Sequence, residues 1–485
     1  MDSLCLIMDF GGGQSLPVSR KVRGAQVYCE IVPAHADAQA IAAKSPACLI
    51  LCGEGDETAV PDPGVLGLKL PMLALGSSAC ALLAAAGGDI SRVAGRKRTD
   101  TVMFSGSPLF EGAQAQERLI ECTGPWGLPE GFESIATDSD GTVIGYACPE
   151  NNWYGIRFYP ESNDPDGLLM LENFLHRIAG LEANWTIERF LEASIPEIRE
   201  KAGEGRVAAA LSGGADSFVC AALLQQALGP QLMCLHVDNG LLRGEEGECI
   251  RRFAAARGIS CVTVDAHEAY LKALDGVLFP EEKRSVTEAV LRETVSAQLS
   301  LIAGVDALAI GTTYSDVVRQ RGSAISGEMR FQVLEPLRAL FKEEVRALGS
   351  LLGVEEEFLN RQPFPGPGLA LRCLGEVTEK KLRLLRAADR IFAEEILSAG
   401  LDKRLSQYFV VLGDAQTRDP RTGNGWGQNA ILRAVTRTAD GDMTAYRMPY
   451  DLLERVTRRI TDEVRGINRV VYDLSGQTAS DVEWA

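Results

Sequence analysis

The sequence predicts a multidomain α/β protein, on the evidence of three features. The chain has 485 residues, too many for one hydrophobic core, so we expect two to four domains. Short apolar runs alternate with helical patterns over much of the chain, which is typical of parallel sheets covered by helices. One apolar run, Val207–Leu211, enters a glycine-rich turn and then a helical pattern that starts near Phe218. Such a strand–turn–helix unit is a frequent site for phosphate groups.

Composition narrows the class of protein. Hydrophobic residues make up 46% and charged residues 24% of the chain, as in an ordinary globular protein. The net charge of −17 argues against a nucleic-acid partner, which would need a basic face. The sequence has no apolar run of about twenty residues and no basic leader, so we expect neither a membrane partner nor a secretory signal. The twelve scattered cysteines indicate reduced thiols in a cytoplasmic protein.

Residues 1–185 have the pattern of a parallel sheet with helices on its faces, and they form the first predicted domain. The segment Trp185–Gly203 is rich in glutamate and predicts a helical connector to the next domain. The strands expected in the first domain are Leu4–Phe10, Gln26–Ile31, Cys48–Cys52 and Met72–Leu75, and the expected helices are Asp37–Lys44 and Ser78–Ala86.

A second α/β domain is predicted for residues 186–367. Ser212, Asp238 and Thr312 each follow a predicted strand of this domain. Because ligand sites in parallel sheets lie beyond the carboxyl ends of the strands, we expect these three residues to meet in one crevice. Besides the run before Ser212, the expected strands are Leu232–Val237, Ile259–Val264 and Ala307–Ile310.

The turn Ser212–Ser217 has the residue types that hold phosphate. Glycines let backbone N–H groups approach an anion, the hydroxyls of Ser212 and Ser217 add donors, and the following helix adds partial positive charge. Asp216 would repel bare phosphate, so its presence indicates a magnesium ion between carboxylate and phosphate. The loop is not a Walker A loop, because no Gly-Lys-Ser/Thr closes it. A glycine turn without any ligand is the alternative interpretation at this point.

Residues 368–485 predict a smaller α+β module. It opens after the run Pro363–Gly368, which is rich in proline and glycine. The expected helices are Leu382–Ile396 and Tyr450–Glu463, and the expected strands are Gln407–Leu412, Asn429–Val435 and Arg469–Leu474.

From Arg206 to its end the chain resembles the GMP synthetase family of PP-loop ATP pyrophosphatases. Residues 1–185 are similar to that family's glutaminase domain, which has a flavodoxin-like class I amidotransferase fold. The resemblance implies a second domain with the PP-loop, adenine nucleotide alpha hydrolase-like fold. It also implies that the third domain makes the protein a homodimer. The motifs that carry the resemblance are Ser212–Ser217, Val237–Arg243, Pro280–Arg284, Leu334–Arg338, Phe341–Arg346, Pro363–Arg372, Met448–Glu454 and Glu463–Asp473.

The resemblance implies a two-stage ligation with the cofactors ATP and Mg²⁺. ATP activates an oxo group of a purine-like acceptor as an adenylate and releases pyrophosphate, and ammonia then displaces AMP. Asp216 and Lys342 take the catalytic positions, and Asp216 is also the metal position. The residues that match ATP-binding positions are Ser212, Gly213, Gly214, Asp216, Ser217, Val237, Asp238, Arg243, Gly311 and Thr312. Those that match acceptor-binding positions are Arg372, Gln477, Asp481, Val482 and Glu483.

The glutaminase positions of that family are degenerate in this chain. Gly76 stands where the family has a cysteine nucleophile on a tight strand–helix turn. Tyr159 replaces the partner histidine, and only the triad carboxylate, Glu161, remains. Because a thiolate needs a neighbouring base and the base needs an orienting carboxylate, we expect no glutamine hydrolysis. Cys80 lies one helical turn further on and is expected in the core, so ammonia would be free or supplied by a separate partner.

The acceptor side departs from the family as well. Gln477 replaces the lysine of the family's C-terminal tail and Asp481 replaces a threonine, whereas Glu483 is retained. A carboxylate beside a phosphate dianion is repulsive, so this tail favours a base-like heterocycle without the usual phosphate. The segment Val317–Val333 lacks the family's lysine and histidines, and its basic residues are Arg319, Arg321 and Arg330.

Three functions stay open on the sequence alone. The first is an ammonia-dependent GMP synthetase that acts on xanthosine monophosphate. The second is a divergent paralogue that adenylates a different heterocycle or nucleoside. The third is a non-catalytic regulatory protein, which the intact Ser212–Ser217 loop disfavours because drift without ATP use would not preserve that loop.

Overall fold

The computed structural model describes residues 4–53, 60–90, 96–122, 125–160, 165–244, 246–318, 331–362, 364–418, 425–437 and 443–475. The chain divides into two compact units, Met1–Phe190 and Leu191–Ala485. Both units contain parallel strands alternating with helices, which confirms the predicted α/β class. The finer division into three domains at residues 185 and 367 stays a prediction. Within the described ranges, no helix is long and apolar enough to cross a membrane.

The first unit is built around one large mixed sheet. Its helices are α1 (Ser15–Gly24), α2 (Ala38–Ala43), α3 (Pro63–Leu66), α4 (Ser77–Ala85) and α5 (Pro165–Glu172), the last followed by a π-helical turn at Asn173–Ile178. Its strands are β1 (Leu4–Asp9), β2 (Tyr28–Pro33), β3 (Cys48–Cys52), β4 (Met72–Leu75), β5 (Asp89–Ile90), β6 (Arg96–Phe104), β7 (Gln116–Cys122), β8 (Trp126–Gly127), β9 (Glu133–Thr137), β10 (Val143–Cys148) and β11 (Trp153–Ile156). The strand order in the sheet is β2-β1-β3-β4-β11-β10-β9-β6-β7, and β5 pairs separately with β8.

The parallel strands of this sheet are buried on both faces. Along β1, Cys5 and Ile7 pack in one hydrophobic cluster, whereas Leu6 and Met8 pack in another. A strand covered on both sides has a continuous apolar sequence rather than an alternating one. That continuity explains why the sequence predicted β1, β3 and β4 to within one residue at each end.

The expectation of a purely parallel sheet is wrong for the second half of this unit. Strands β6, β7, β9 and β10 pair with their neighbours in the antiparallel direction. Along β7, Arg118 and Ile120 are buried while Glu117 and Leu119 are exposed. Strands with one solvated face alternate in polarity and are short, so their sequences carry a weaker signal than continuous apolar runs do.

The second unit begins with a parallel sheet of five described strands. Its strands are β12 (Arg206–Ala210), β13 (Leu232–Asp238), β14 (Ser260–Asp265), β15 (Val305–Ala309) and β16 (Gln332–Leu334). The helices up to this point are α6 (Ile187–Ala202), α7 (Ala215–Leu228), α8 (Glu246–Ala256), α9 (His267–Ala273), α10 (Pro280–Leu301), α11 (Tyr314–Val318), α12 (Lys342–Leu351) and α13 (Glu356–Leu359). The strand order is β14-β13-β12-β15-β16, with every pair parallel. The order reverses between β12 and β15, so the glycine turn after β12 lies at the switch point of the sheet.

The remainder of this unit is an α+β arrangement, as predicted. Its helices are α14 (Glu379–Ser398) and α15 (Tyr450–Glu463), and its strands are β17 (Gln407–Arg418), β18 (Trp426–Arg437), β19 (Met443–Ala445) and β20 (Ile467–Tyr472). Strand β18 pairs with all three others. Strand β17 extends beyond its predicted end because its last residues, Asp414–Arg418, are mostly exposed and polar, which the apolar pattern could not mark. Strand β18 extends beyond the predicted bounds by three residues at its start and two at its end.

Helices α7 and α12 pack closely, and a glycine makes that approach possible. A Cβ atom added at Gly349 would lie 2.5 Å from Leu359 Cδ2 and 2.7 Å from Val219 Cγ2. Neither neighbour is the loose end of a long side chain, so the added atom would force the packed helices to shift. Gly349 therefore sets the position of α12, the helix that begins with Lys342.

We expect Gly349→Ala to destabilise the protein by about 1–3 kcal/mol, because overpacking outweighs the roughly 1 kcal/mol that alanine gains over glycine in a helix. The matched control is Gly247→Ala in α8, where the added Cβ meets only the tip of Arg251 at 3.7 Å. Thermal unfolding of both variants measures the difference. A Gly349→Ala variant as stable as the control would show that α12 is free to move.

Candidate active site

The glycine turn of the second unit joins β12 to the N-terminus of α7. Gly213 has φ of +86°, a conformation that favours glycine, and Gly214 is the residue before the helix. Ser212 Oγ accepts a hydrogen bond from Gly214 N at 3.4 Å, and Ser217 Oγ donates to Gly214 O at 2.8 Å. The two serines thus hold the shape of the turn, while the first N–H groups of α7 are directed out of the helix end. This arrangement is suited to an anion.

The structure places the three predicted strand-end residues side by side. Ser212 follows β12, Asp238 ends β13 and Thr312 follows β15, and β12 lies between the other two strands. Thr312 Oγ1 is buried and has no hydrogen-bond partner among the described residues. Gly311 lies against the start of α7, since an added Cβ would be 3.0 Å from the carbonyl of Asp216. A buried hydroxyl without a partner at this edge is a group available for a ligand.

Asp216 and Lys342 face each other across the crevice. Lys342 Nζ lies 3.9 Å from Asp216 Oδ2, so the two predicted catalytic residues are brought together. Burial raises the pKa of the Asp216 carboxyl, Lys342 opposes that shift, and the nearby Asp316 adds to it. Asp316 itself accepts hydrogen bonds from the backbone N and the hydroxyl of Thr313, at 3.0 and 2.7 Å. Asp216 and Asp316 therefore both contribute negative charge near the start of α7.

The carboxylates fit a magnesium ion that shares its ligands with phosphate. Mg²⁺ usually takes one or two protein carboxylates together with substrate phosphates and water. Among the described residues no group of three or more histidine, cysteine, aspartate or glutamate side chains forms a metal cage. Asp216, half-buried beside the glycine turn Ser212–Ser217, supplies the type of oxygen ligand that such an ion needs.

The loop after β13 is fixed by its own side chains at its start. Asp238 Oδ1 accepts from Gly240 N at 3.1 Å, and Asn239 Oδ1 accepts from Leu241 N at 2.9 Å. Val237, the other predicted ATP residue of this strand, is partly buried. Arg243 ends the loop, and its Nε lies 2.7 Å from Asp389 Oδ2 in α14.

Arg372, the predicted acceptor residue, is almost completely buried. Its side chain is 3% exposed, and its guanidinium lies 4.3 Å from the ring centre of Phe409 and 4.9 Å from that of Phe364. Burial lowers its pKa to about 10, although the Asp389 carboxylate opposes that shift. Neither terminal nitrogen of Arg372 has a hydrogen-bond partner among the described residues. An arginine in this state is able to receive an electronegative group.

The sequence interpretation missed Arg361 and Glu246. Arg361 Nη2 lies 3.2 Å from Glu246 Oε1, and Arg361 Nη1 is 3.7 Å from the position that a Cβ of Gly213 would take. The guanidinium of Arg361 is therefore a cation next to the glycine turn Ser212–Ser217. Arg361 stands two residues before Pro363, so a search of the residues flanking the Pro363–Gly368 run would have found it.

Several predicted residues lie outside the described ranges. They are the acceptor-side Gln477, Asp481, Val482 and Glu483, the triad carboxylate Glu161, and the loop residues Arg319, Arg321 and Arg330. Their roles stay predictions.

In the first unit, the strand–helix turn between β4 and α4 keeps the shape of a nucleophile turn. Gly76 has φ of +61° and ψ of −132°, a conformation that residues with a Cβ rarely adopt. The space beside it is filled by Tyr159, because a Cβ at Gly76 would lie 2.3 Å from Tyr159 Cε2. Gly53 N donates a hydrogen bond to Tyr159 Oη at 3.0 Å and so fixes the ring in this place.

Cys80 does not replace the missing nucleophile. It is partly buried against one of the two hydrophobic clusters of the first unit, as expected for a packing residue. Its Sγ accepts a hydrogen bond from Trp126 Nε1 at 3.3 Å. None of the cysteines that the structure describes is in a disulfide.

Comparisons with known proteins identify the family of the chain. The family described as GMP synthase C terminal domain matches residues 394–484, and the family described as NAD synthase matches residues 186–381. The glutamine-hydrolysing GMP synthase of Clostridium novyi is 37% identical and is aligned over 99% of each chain. That of Acetivibrio thermocellus is 38% identical over 100% of this chain and 99% of the relative. That of Corynebacterium diphtheriae is 39% identical over 99% and 98%, respectively.

Identity at this level over essentially the whole length confirms the resemblance drawn from the motifs. The chain belongs to the GMP synthase family of ATP-dependent carbon–nitrogen ligases.

Proposed function

We propose that this protein adenylates an oxo group of a purine-like acceptor and aminates the product with free or partner-supplied ammonia. The synthetase half of this proposal is supported by the crevice in which the glycine turn Ser212–Ser217 and Lys342 meet, with Lys342 beside Asp216 of that turn. The observation that supports an external ammonia source is Tyr159, which fills the space of the missing nucleophile.

The first step transfers AMP to the acceptor. The acceptor oxygen attacks the α-phosphorus of ATP, the bond to the bridging oxygen breaks, and pyrophosphate leaves. The N–H groups at the start of α7 hold the pyrophosphate end, and Lys342 compensates charge as the leaving group departs. Asp216 would hold a magnesium ion, which would neutralise phosphate charge when bound. Holding the reactants in line is the main contribution of such a site.

The second step is amination. Ammonia attacks the activated carbon, the carbon–oxygen bond to AMP breaks, and the nitrogen loses a proton to solvent. An oxygen bound to a ring carbon leaves poorly until it is esterified to phosphate, so the second step depends on the first. Arg372, with its unpartnered nitrogens, is placed to orient an electronegative group of the acceptor.

The acceptor is xanthosine monophosphate by resemblance, but the sequence also favours a second candidate. Gln477 and Asp481 replace residues with which the family holds the substrate phosphate. A heterocycle or nucleoside without that phosphate avoids repulsion by Asp481. Retention of Glu483, which can accept a hydrogen bond from a base N–H, is compatible with either acceptor.

The organisation of the chain is proposed on the same basis. We infer a glutaminase-like domain at residues 1–185, a PP-loop domain at 186–367 and a dimerisation domain at 368–485. The dimer would form through the last domain. A protein that lacks its own glutaminase would take ammonia from solution or from a separate partner.

We expect pyrophosphate release from ATP, Mg²⁺ and ammonium with one member of a panel of xanthosine monophosphate, xanthosine, xanthine and inosine monophosphate. Turnover with xanthosine monophosphate would identify the first candidate, and turnover only with another acceptor would identify the second. ATP binding without pyrophosphate release on any acceptor would favour a non-catalytic regulatory protein and contradict the proposal.

We expect Lys342→Met to lower pyrophosphate release by about 100-fold or more, because it removes a cation aimed at developing phosphate charge. The matched control is Lys201→Met, since Lys201 is exposed on α6 and pairs only with Glu197 four residues earlier. Steady-state rates and unfolding midpoints are measured for both variants. A Lys342→Met enzyme with wild-type rates would remove Lys342 from the mechanism.

We expect Gly76→Cys to destabilise the first unit without producing glutamate from glutamine. The new Cβ would enter the ring of Tyr159 and would also carry the strain of a positive φ. Gly87→Ala separates the two effects, because Gly87 has φ of +86° but no atom within 4 Å of an added Cβ. The double variant Gly76→Cys/Tyr159→His removes the clash and regains stability relative to the single one.

Unfolding midpoints and a glutamate assay decide this prediction. Equal losses for Gly76→Cys and Gly87→Ala would mean that Tyr159 does not fill the space. Glutamate formed stoichiometrically with product by the wild-type chain would overturn the proposal of an external ammonia source.

A further inference from the structure

The nucleotide loop Asp238–Arg243 is held mainly by residues far later in the chain. Three consecutive carbonyl groups of this loop receive donors from beyond residue 367. Arg386 Nη2 donates to Gly240 O, Leu369 N donates to Leu241 O at 2.8 Å, and Arg386 Nε donates to Leu242 O at 2.9 Å. The loop that the sequence assigns to ATP is therefore completed by α14 and by the turn that carries Arg372.

The approach between the two segments is close. Gly368 has φ of +64°, and a Cβ added there would lie 2.5 Å from Leu241 O. On the other side of the loop, a Cβ at Gly240 would lie 2.2 Å from the ring of His267. His267 Nε2 is in turn 2.8 Å from Glu379 Oε2 at the start of α14. Backbone packed this tightly on both sides has little freedom to move unless its anchors are released.

One carboxylate connects this loop to Arg372. Asp389 lies one helical turn after Arg386 on α14 and is 4% exposed. Its Oδ2 is 2.7 Å from Arg243 Nε, its Oδ1 is 3.8 Å from Arg372 Nη1, and Oδ1 also accepts from Val410 N at 2.9 Å. The two arginines therefore share a single buried carboxylate, which is closer to Arg243.

The charge balance leaves Arg372 incompletely neutralised. Around this point the buried or half-buried arginines include Arg243, Arg361, Arg372 and Arg386, and the carboxylates include Glu246 and Asp389. Arg361 and Glu246 pair with each other, and Arg243 has a shorter contact with Asp389 than Arg372 has, so Arg372 is the least neutralised of the three arginines that contact these carboxylates.

We propose that Asp389 is a positioning residue that orients Arg372 for the acceptor and, through Arg243, holds the ATP loop closed. The proposal deepens the proposed function and rests on it. Asp389 touches neither ATP nor the acceptor; it acts through the two arginines. The contact between Asp389 and Arg372 is long, at 3.8 Å, and does not use the N–H groups of the guanidinium. These groups can therefore bind an oxo or phosphate oxygen of the acceptor.

The test compares Asp389→Asn with Arg390→Ala. Asparagine keeps an oxygen for Val410 N and removes the charge shared by the two arginines. Arg390 is the next residue on α14, is exposed, and contacts Glu394 at 3.8 Å, away from Asp389's arginine partners, which makes it the matched control. The probe is Mg–ATP, whose dissociation constant is measured by calorimetry without acceptor.

We expect Asp389→Asn to weaken Mg–ATP binding by about tenfold or more, because loss of a buried charge partner frees the loop anchor, while Arg390→Ala has no effect. Arg386→Lys removes the guanidinium that donates to two loop carbonyls, so it weakens ATP binding as well. The double variant Asp389→Asn/Arg386→Lys shows less than the product of the two effects, since both act on one loop.

A second measurement separates Asp389 from a purely structural residue. In pyrophosphate release with the acceptor that is turned over, Asp389→Asn raises the KM of the acceptor, whereas Arg386→Lys does not, because only Asp389 also contacts Arg372. A structural defect would instead lower the unfolding midpoint and change both variants alike. Arg386→Lys keeps the ATP measurement informative if Asp389→Asn does not fold.

The outcomes distinguish this inference from the proposed function. A wild-type chain that does not bind Mg–ATP would overturn both. A wild-type chain that binds Mg–ATP and turns over an acceptor, together with an Asp389→Asn variant of unchanged affinity and KM, would overturn the role of Asp389 alone.

Discussion

The candidate site depends on the strand order of the second unit, which places β12 between β13 and β15. β12 is the first strand of this sheet. Strands β13 and β14 are added on one side of it and β15 and β16 on the other, so the switch point of the sheet lies at the end of β12. The crevice at that point receives the glycine turn, the end of β13 and the end of β15 from separate segments. Gly311 lets the end of β15 approach α7, and Gly349 lets α12 approach the same helix. Lys342 reaches Asp216 only because both approaches are satisfied.

Backbone polar groups explain why the last third of the chain belongs to the same site. The loop after β13 exposes carbonyl oxygens that no strand or helix pairs, and buried carbonyls without donors are costly. The guanidinium of Arg386 and the backbone of Leu369 provide those donors, 128 to 146 residues further along the chain. Lys283 plays a similar role nearby, with Nζ bonded to the carbonyls of Ala370, Cys373 and Gly375. The turn that carries Arg372 is thus fixed by a lysine of α10 on one side and by the nucleotide loop on the other.

The sequence was sufficient for those parts of the fold that have a local signal. Strands buried on both faces, such as β3 and β4, are continuous apolar runs, and α15 has its apolar residues four apart at Leu452, Val456 and Ile460. The convergence of Ser212, Asp238 and Thr312 followed from the rule for parallel sheets. The antiparallel strands β6 to β10 carry a weaker signal, because their residues alternate in polarity. The ion pair between Arg98 on β6 and Asp138, just after β9, could not be inferred from such a pattern. The contacts of Asp389 were also out of reach, because they join residues that lie between 17 and 146 positions from one another in the sequence. Likewise, the sequence predicted Gly76 and Tyr159 at the positions of a catalytic pair, but not that the tyrosine ring fills the space beside Gly76.

Packing places different demands on the β4–α4 turn and on the glycine turn Ser212–Ser217. The turn between β4 and α4 is part of the hydrophobic core, since Leu73 and Leu75 before it and Ala79 and Leu82 after it are fully buried. The packing of the core therefore requires the shape of this turn, whether or not the turn carries a catalytic residue. Glycine at position 76 relieves the strain that a nucleophile must tolerate in this conformation, and a tyrosine at position 159 fills the cavity that a shorter side chain would leave. Both residues therefore suit a domain whose proposed role does not require a thiolate. The glycine turn Ser212–Ser217 has no comparable role in packing, and it holds Asp216, a half-buried carboxylate whose pKa is raised by burial and whose charge is costly without a nearby cation. Its presence beside Lys342 is consistent with the proposed ATP site.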